Sequence, residues 1–107
     1  ATPTGSTAYS LSAGGPIVDP ELESMLLTPV CPHSLVDRSL IFGADTVITV
    51  SSAENERLCF SADGVKPQLI DRGCSARIER ADLTANFIRI KADSFIDIVY
   101  KKLAQRR

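Results

Sequence analysis

Apolar and polar positions follow two different periods along this 107-residue chain, and the change of period divides it. In the first third the apolar residues are sparse and spaced for short helical turns. Ala8, Leu11 and Ala13 fit one helical face. Gly14-Gly15-Pro16 ends that turn, because glycine takes the left-handed position after a helix and proline cannot continue one. Leu22, Met25 and Leu26 repeat the helical spacing, so residues 21–27 are expected to form one or two turns. Pro29 and Pro32 remove backbone donors, and the segment around them reads as an extended edge. Residues 38–42 read as a short strand or an extended link.

From residue 46 the period becomes two. Thr46-Val47-Ile48-Thr49-Val50 is β-branched throughout, and residues 57–61, 65–70, 75–81 and 86–90 give four further strands. Asp63-Gly64 is a type I′ hairpin signal, and Asp71-Arg72-Gly73 is a second turn. Pro67 marks the third strand as an edge or an interrupted one. Ala76 and Ile78 share one face of the fourth strand, with Arg77 and Glu79 on the other, solvated face. In the fifth, Phe87 and Ile88 point to opposite faces, which predicts that both faces are covered. Asp93 or Ser94 caps a last helix over residues 95–104, where Phe95, Ile98, Val99 and Leu103 form an apolar stripe. Short strands with turns between them and no intervening helices predict a mainly β fold. It is an antiparallel two-sheet, sandwich-like arrangement with a short N-terminal helix and a C-terminal helix.

Composition narrows the picture. A hydrophobic content of 44% is enough to build a core in one domain. A net charge of -1, with no basic run except Arg106-Arg107, argues against a nucleic-acid binder. No stretch approaches a membrane-spanning helix and the first residues do not read as a signal peptide, so a cytoplasmic protein with no membrane partner is expected. Cys31, Cys59 and Cys74 are odd in number and form no C-x-x-C pair. Reduced, buried thiols are expected of them, and no metal.

The candidate chemistry lies at the start. Residues 1–15 carry no charge and are dense in hydroxyls, with Thr4, Ser6 and Thr7 around Gly5. Open backbone N–H groups with hydroxyls beside them bind anions such as a pyrophosphate. The same composition also makes an ordinary helix N-cap. Tyr9 is open to two roles, contact with a ligand's base or phosphate, or packing on the next strand. His33, the single histidine, is open to ligand contact, general-base chemistry or a structural role. Asp45, Asp63, Asp71 and Asp82 sit at turns, where aspartate commonly bonds its own backbone, and none is expected to be catalytic.

Thr2-Pro3-Thr4-Gly5-Ser6-Thr7-Ala8-Tyr9-Ser10-Leu11-Ser12-Ala13-Gly14-Gly15-Pro16 resembles the signature of NAD kinases. Leu27-Thr28-Pro29-Val30-Cys31-Pro32-His33-Ser34-Leu35 is similar to the family's T-P-I-C-P-H-S-L segment, and Lys102-Leu103 to the pair that closes its last helix. The resemblance implies ATP-dependent phosphorylation of the adenosine ribose 2′-hydroxyl of NAD to give NADP. Residues 1–107 would be the C-terminal, NAD-binding domain of such an enzyme, after an α/β domain that is not in this chain. The family's G-G-D-G-T loop and N-E pair are also not in it. The resemblance therefore implies no catalytic residue here, and a Mg²⁺ bound with ATP elsewhere. It assigns dinucleotide contact to Thr4, Thr7, Ala8, Tyr9, Ser10, Leu11, Ser12 and His33, with Leu11 contributing backbone or packing. It also implies a homo-oligomer. A non-catalytic NAD(P)-sensing module and a lipid kinase of the related superfamily are the alternative readings.

Overall fold

Strand pairing organises the chain into three antiparallel ladders. The computed structural model describes residues 1–53 and 56–105. A 3-10 helix at Thr4–Thr7 is followed by a single α-turn, α1, at Tyr9–Ser12. Six strands come next: β1 (Ser24–Leu27), β2 (Leu40–Gly43), β3 (Ile48–Ser51), β4 (Leu58–Phe60), β5 (Gln68–Ile70) and β6 (Ser75–Ile78). Helix α2 spans Phe95–Ala104. The fold is mainly β with antiparallel pairs and a helix near each end, as the sequence predicts. Its ladders are β1–β2, β3–β6 and β4–β5.

The β4–β5 hairpin is nested inside β3–β6. Asp63 and Gly64 both have positive φ, 50° and 71°, as a type I′ turn requires, and Val65 N–H closes the turn on Ala62 O at 2.9 Å. The Ser61 hydroxyl donates to Val65 O at 2.6 Å and braces it. In β3–β6, Ile48 lies opposite Ile78 and Val50 opposite Ala76. In β4–β5, Leu58 lies opposite Ile70. Arg77 and Glu79 meet on the wet face at 2.9 Å.

Three expectations give way. Residues 21–27 are not helical: Asp19 Oδ1 accepts from Glu21 N–H at 3.0 Å, Leu22 N–H closes on Asp19 O, and β1 follows directly. The turn chemistry of Asp19 and the pairing of Met25 with Phe42 and Leu26 with Ile41 outweigh the helical spacing. Residues 86–90 form no strand. Phe87 and Ile88, which would take opposite faces, are 77% and 91% exposed, so neither face is covered. A β-branched run needs a neighbouring strand to complete its hydrogen bonds, and no ladder among the described residues includes it. The three cysteines are free but exposed rather than buried.

Tight packing is confined to the first third. Val18 and Leu26 are the buried apolar side chains among the described residues, and Ser6 and Ser10 are buried with them. Ala1 pairs with β1 by exchanging both backbone hydrogen bonds with Leu26, at 2.6 and 2.8 Å. The radius of gyration is 16.1 Å, against about 13 Å for a compact domain of this length.

Helix α2 carries a capping box. Ser94 Oγ accepts from Asp97 N–H at 3.2 Å, and the Asp97 carboxylate accepts from Ser94 N–H and from its hydroxyl, at 3.3 and 2.7 Å. The hydroxyl bond of Ser94 leads in holding the Asp97 carboxyl below its ordinary range, followed by the Ser94 backbone bond and then the Lys101 charge. A lowered folded-state pKa stabilises above the unfolded value, and that stabilisation is lost as pH falls through the folded one. Far-UV circular dichroism is therefore expected to show α2 fraying on acidification through the carboxylate range. Ser94→Ala should lower the helicity at neutral pH and flatten this acid transition.

Candidate functional site

The hydroxyl-rich segment sorts its side chains by direction. Ser6 and Ser10, one helical repeat apart, face inward, whereas Thr4, Thr7, Ala8, Tyr9 and Ser12 are exposed and Leu11 is half-buried. Ser6 is fully buried and its Oγ accepts from Val18 N–H at 3.0 Å. Ser10 Oγ lies 2.8 Å from Thr28 Oγ1, and Ser39 donates to that same Thr28 oxygen at 3.0 Å. Hydroxyls thus hold the segment where a core would ordinarily use methyl groups. Each is satisfied, which avoids the cost of burying an unpaired polar group.

Two glycines make this approach possible. Gly14 has φ 89° and sits one residue beyond the C-cap Ala13. Its N–H donates to Leu11 O at 3.0 Å and that of Gly15 to Ser10 O at 2.8 Å, the paired bonds of a Schellman motif. A Cβ at Gly15 would overlap Ser10 Oγ and lie 2.8 Å from both Ser10 O and Thr28 Oγ1. Only a residue without a side chain lets the turn settle on Thr28.

The outer face is open. Tyr9 is 73% exposed, and the exposed Thr7 and Ser12 lie on either side of it along the chain, beyond Ala8 and Ser10. Ala8, the N-cap of α1, offers no side-chain oxygen, so no side chain caps the turn. Tyr9 is therefore not the strand-packing aromatic that was one of its two sequence readings. The turn is only four residues long. A macrodipole of the size that long helices develop is not available to it, and the attraction for an anion rests on N–H groups and hydroxyls alone. Ser10, assigned to ligand contact by resemblance, has its hydroxyl turned toward Thr28. His33 is exposed in the irregular stretch between β1 and β2, close in sequence to Cys31, whose φ is 47°. Among the described residues, no hydrogen bond joins His33 to the signature segment.

Two shallow grooves lie elsewhere. One, of about 420 Å³, runs past Asp45, Thr46, Glu79, Arg80 and Asp82. The other, of about 410 Å³, is lined by Val18, Leu22, Ile41 and Phe42 among others. None of the eight sequence-assigned residues lines either groove. Among the described residues no group of three or more His, Cys, Asp or Glu is placed to hold a metal. Ser6 was read only as part of the hydroxyl cluster and Gly15 only as part of the helix stop, and Thr28 and Ser39 were assigned no role from sequence. Hydroxyl and glycine content alone does not say which side chains face inward.

Residues 1–90 match the ATP-NAD kinase C-terminal domain, and the chain belongs to that family. It is 46% identical over 107 residues to a protein named NAD kinase from Thermoanaerobacter sp. (strain X514), covering 99% of this chain and 38% of that protein. It is 44% identical to one so named from Symbiobacterium thermophilum, covering 97% and 37%. Against the one from Geotalea daltonii the identity is 37%, covering 95% and 36%. The chain thus spans well under half the length of these curated relatives.

The inward and outward residues should separate in urea denaturation. Ser6→Ala strands the Val18 N–H and is expected to cost about 1–3 kcal/mol. Gly15→Ala forces a clash against backbone and should cost about 1–3 kcal/mol. Thr7→Ala, on the exposed face, should stay within about 0.5 kcal/mol.

Proposed function

We propose that this chain is the dinucleotide-holding, C-terminal part of an NAD kinase. The longer enzyme transfers the γ-phosphoryl group of ATP to the adenosine ribose 2′-hydroxyl of NAD, giving ADP and NADP. The bond between the γ-phosphorus and the bridging oxygen breaks, a ribose O–P bond forms, and the hydroxyl proton leaves to a base outside this chain. Phosphoryl transfer is mostly positioning and charge stabilisation. The share of these residues is positioning. Mg²⁺ travels with ATP and is held outside residues 1–107.

One observation carries this reading: the segment matched in the kinase family is anchored on its inner face and open on its outer one. Thr4, Thr7 and Ser12 supply hydroxyls and Tyr9 a flat ring with a hydroxyl at its tip, suited to a phosphate-linked nucleoside. The Ala8 methyl keeps the mouth of the turn uncrowded. Ser10 and Leu11 contribute backbone, and His33 belongs to the rim of the same site. The reading also gives a use to the exposed apolar side chains Leu35, Leu83, Phe87, Ile88 and Ile90. They meet the rest of the longer protein and other copies of it in a homo-oligomer. No helix among the described residues is long and apolar enough to cross a membrane, and unpaired cysteines suit a reducing, cytoplasmic setting.

Tyr9 variants of the full-length enzyme test the reading by calorimetric titration with NAD. Tyr9→Phe removes one hydroxyl and should weaken binding by about 0.5–1.5 kcal/mol. Tyr9→Ala should weaken it further, with the melting temperature unchanged because the ring is exposed. Unchanged NAD affinity in Tyr9→Ala would remove the signature turn from the binding site.

A further inference from the structure

A helix of one turn cannot fix its own orientation, because nucleating a turn costs more than its few hydrogen bonds return. In α1 the Ser12 N–H reaches Ala8 O at a long 3.3 Å, and Ala8 supplies no cap. Of the four side chains of α1, Ser10 alone is buried. Its hydroxyl meets Thr28 Oγ1 at 2.8 Å, eighteen positions along the chain at the end of β1. The rotation of the turn about its axis, and with it the direction of Tyr9 and Ser12, hangs on that one side-chain bond.

Thr28 is itself held. Ser39, at the entrance to β2, donates to Thr28 Oγ1 at 3.0 Å. A hydroxyl has one proton and two lone pairs, so Thr28 Oγ1 can accept from Ser39 and bond Ser10 as well, as donor or as acceptor. Ser39, Thr28 and Ser10 form a connected chain of hydroxyls that crosses from the β1–β2 ladder to the turn. Gly15 closes its side, since any Cβ there would press on both Ser10 and Thr28.

We infer that Thr28 is a positioning residue for nucleotide binding: its hydroxyl, oriented by Ser39, sets the α1 turn so that Tyr9 and Ser12 present their outer face to NAD. This rests on the reading of the chain as part of an NAD kinase. Thr28 touches no substrate and acts through Ser10.

The test uses the full-length enzyme with Thr28→Val, Thr28→Ser and Ser39→Ala, reading steady-state kinetics together with hydrogen exchange of the peptide covering residues 8–15. Thr28→Val keeps the shape and removes the hydroxyl. It should raise KM for NAD about tenfold, the ratio carried by one lost buried hydroxyl bond. KM for ATP and kcat should hold, and exchange in residues 8–15 should quicken. Thr28→Ser should restore both readouts, and Ser39→Ala should fall between. Unchanged exchange in Thr28→Val overturns the clamp. A lower melting temperature with an unmoved KM for NAD overturns positioning and leaves Thr28 a residue of the fold alone. Should Thr28→Val not fold, Ser39→Ala decides, and wild-type KM and exchange in that variant overturn the proposal. A wild-type enzyme that forms no NADP rejects the kinase reading, while the exchange arm still decides whether Thr28 sets the turn.

Discussion

The fold of the first third depends on buried hydroxyl contacts made at close range. Ser6 to Val18 and Ser10 to Thr28 place two backbones nearer each other than leucines or valines would allow. A methyl-for-hydroxyl exchange would leave donors without acceptors, and a larger residue at position 15 would push the turn off its seat. Hydroxyls also impose direction, which dispersion does not. An apolar contact tolerates rotation of a short helix, and a hydrogen bond does not. This serves a turn whose outer face is the candidate nucleotide surface. Rigidity comes from the inner side, and the outer side stays free for a ligand.

The rest of the chain is organised more loosely. Three two-stranded ladders and one helix leave long apolar side chains in solvent, and apart from Leu26 in β1 the strand residues are half-buried or exposed. Two-stranded ladders are marginal without a surface to pack on. The ion pair of Arg80 with Glu23, at 3.7 Å, is exposed and links the end of β6 to the start of β1 only weakly. The apolar surface is what a family member needs if more protein lies over it, and it is where the proposed oligomer and inter-domain contacts fall.

What the sequence revealed was local. The Gly14-Gly15-Pro16 stop, the Asp63-Gly64 turn and the Ser94 cap of α2 each depend on residues within one turn of chain, and each forms where the pattern placed it. Residues 21–27 and 86–90 were misjudged because their state depends on partners far away. The first found β2 and became a strand. The second found none and stayed irregular. The thiols are exposed for a related reason, since their segments have little to pack against. At the candidate site the signature was legible as a block, yet Ser6, Thr7, Ser10 and Ser12 look alike in a string of letters. Which of them turn inward is set by Val18 and Thr28, twelve and eighteen positions away.

The most direct measurement is an amide NMR titration of the isotopically labelled protein with NAD. The account predicts saturable shifts at Thr4, Thr7, Tyr9 and Ser12, with the β4–β5 hairpin unmoved. Shifts confined to the groove beside Asp45 and Arg80, or none in residues 4–12 at saturating NAD, would contradict it.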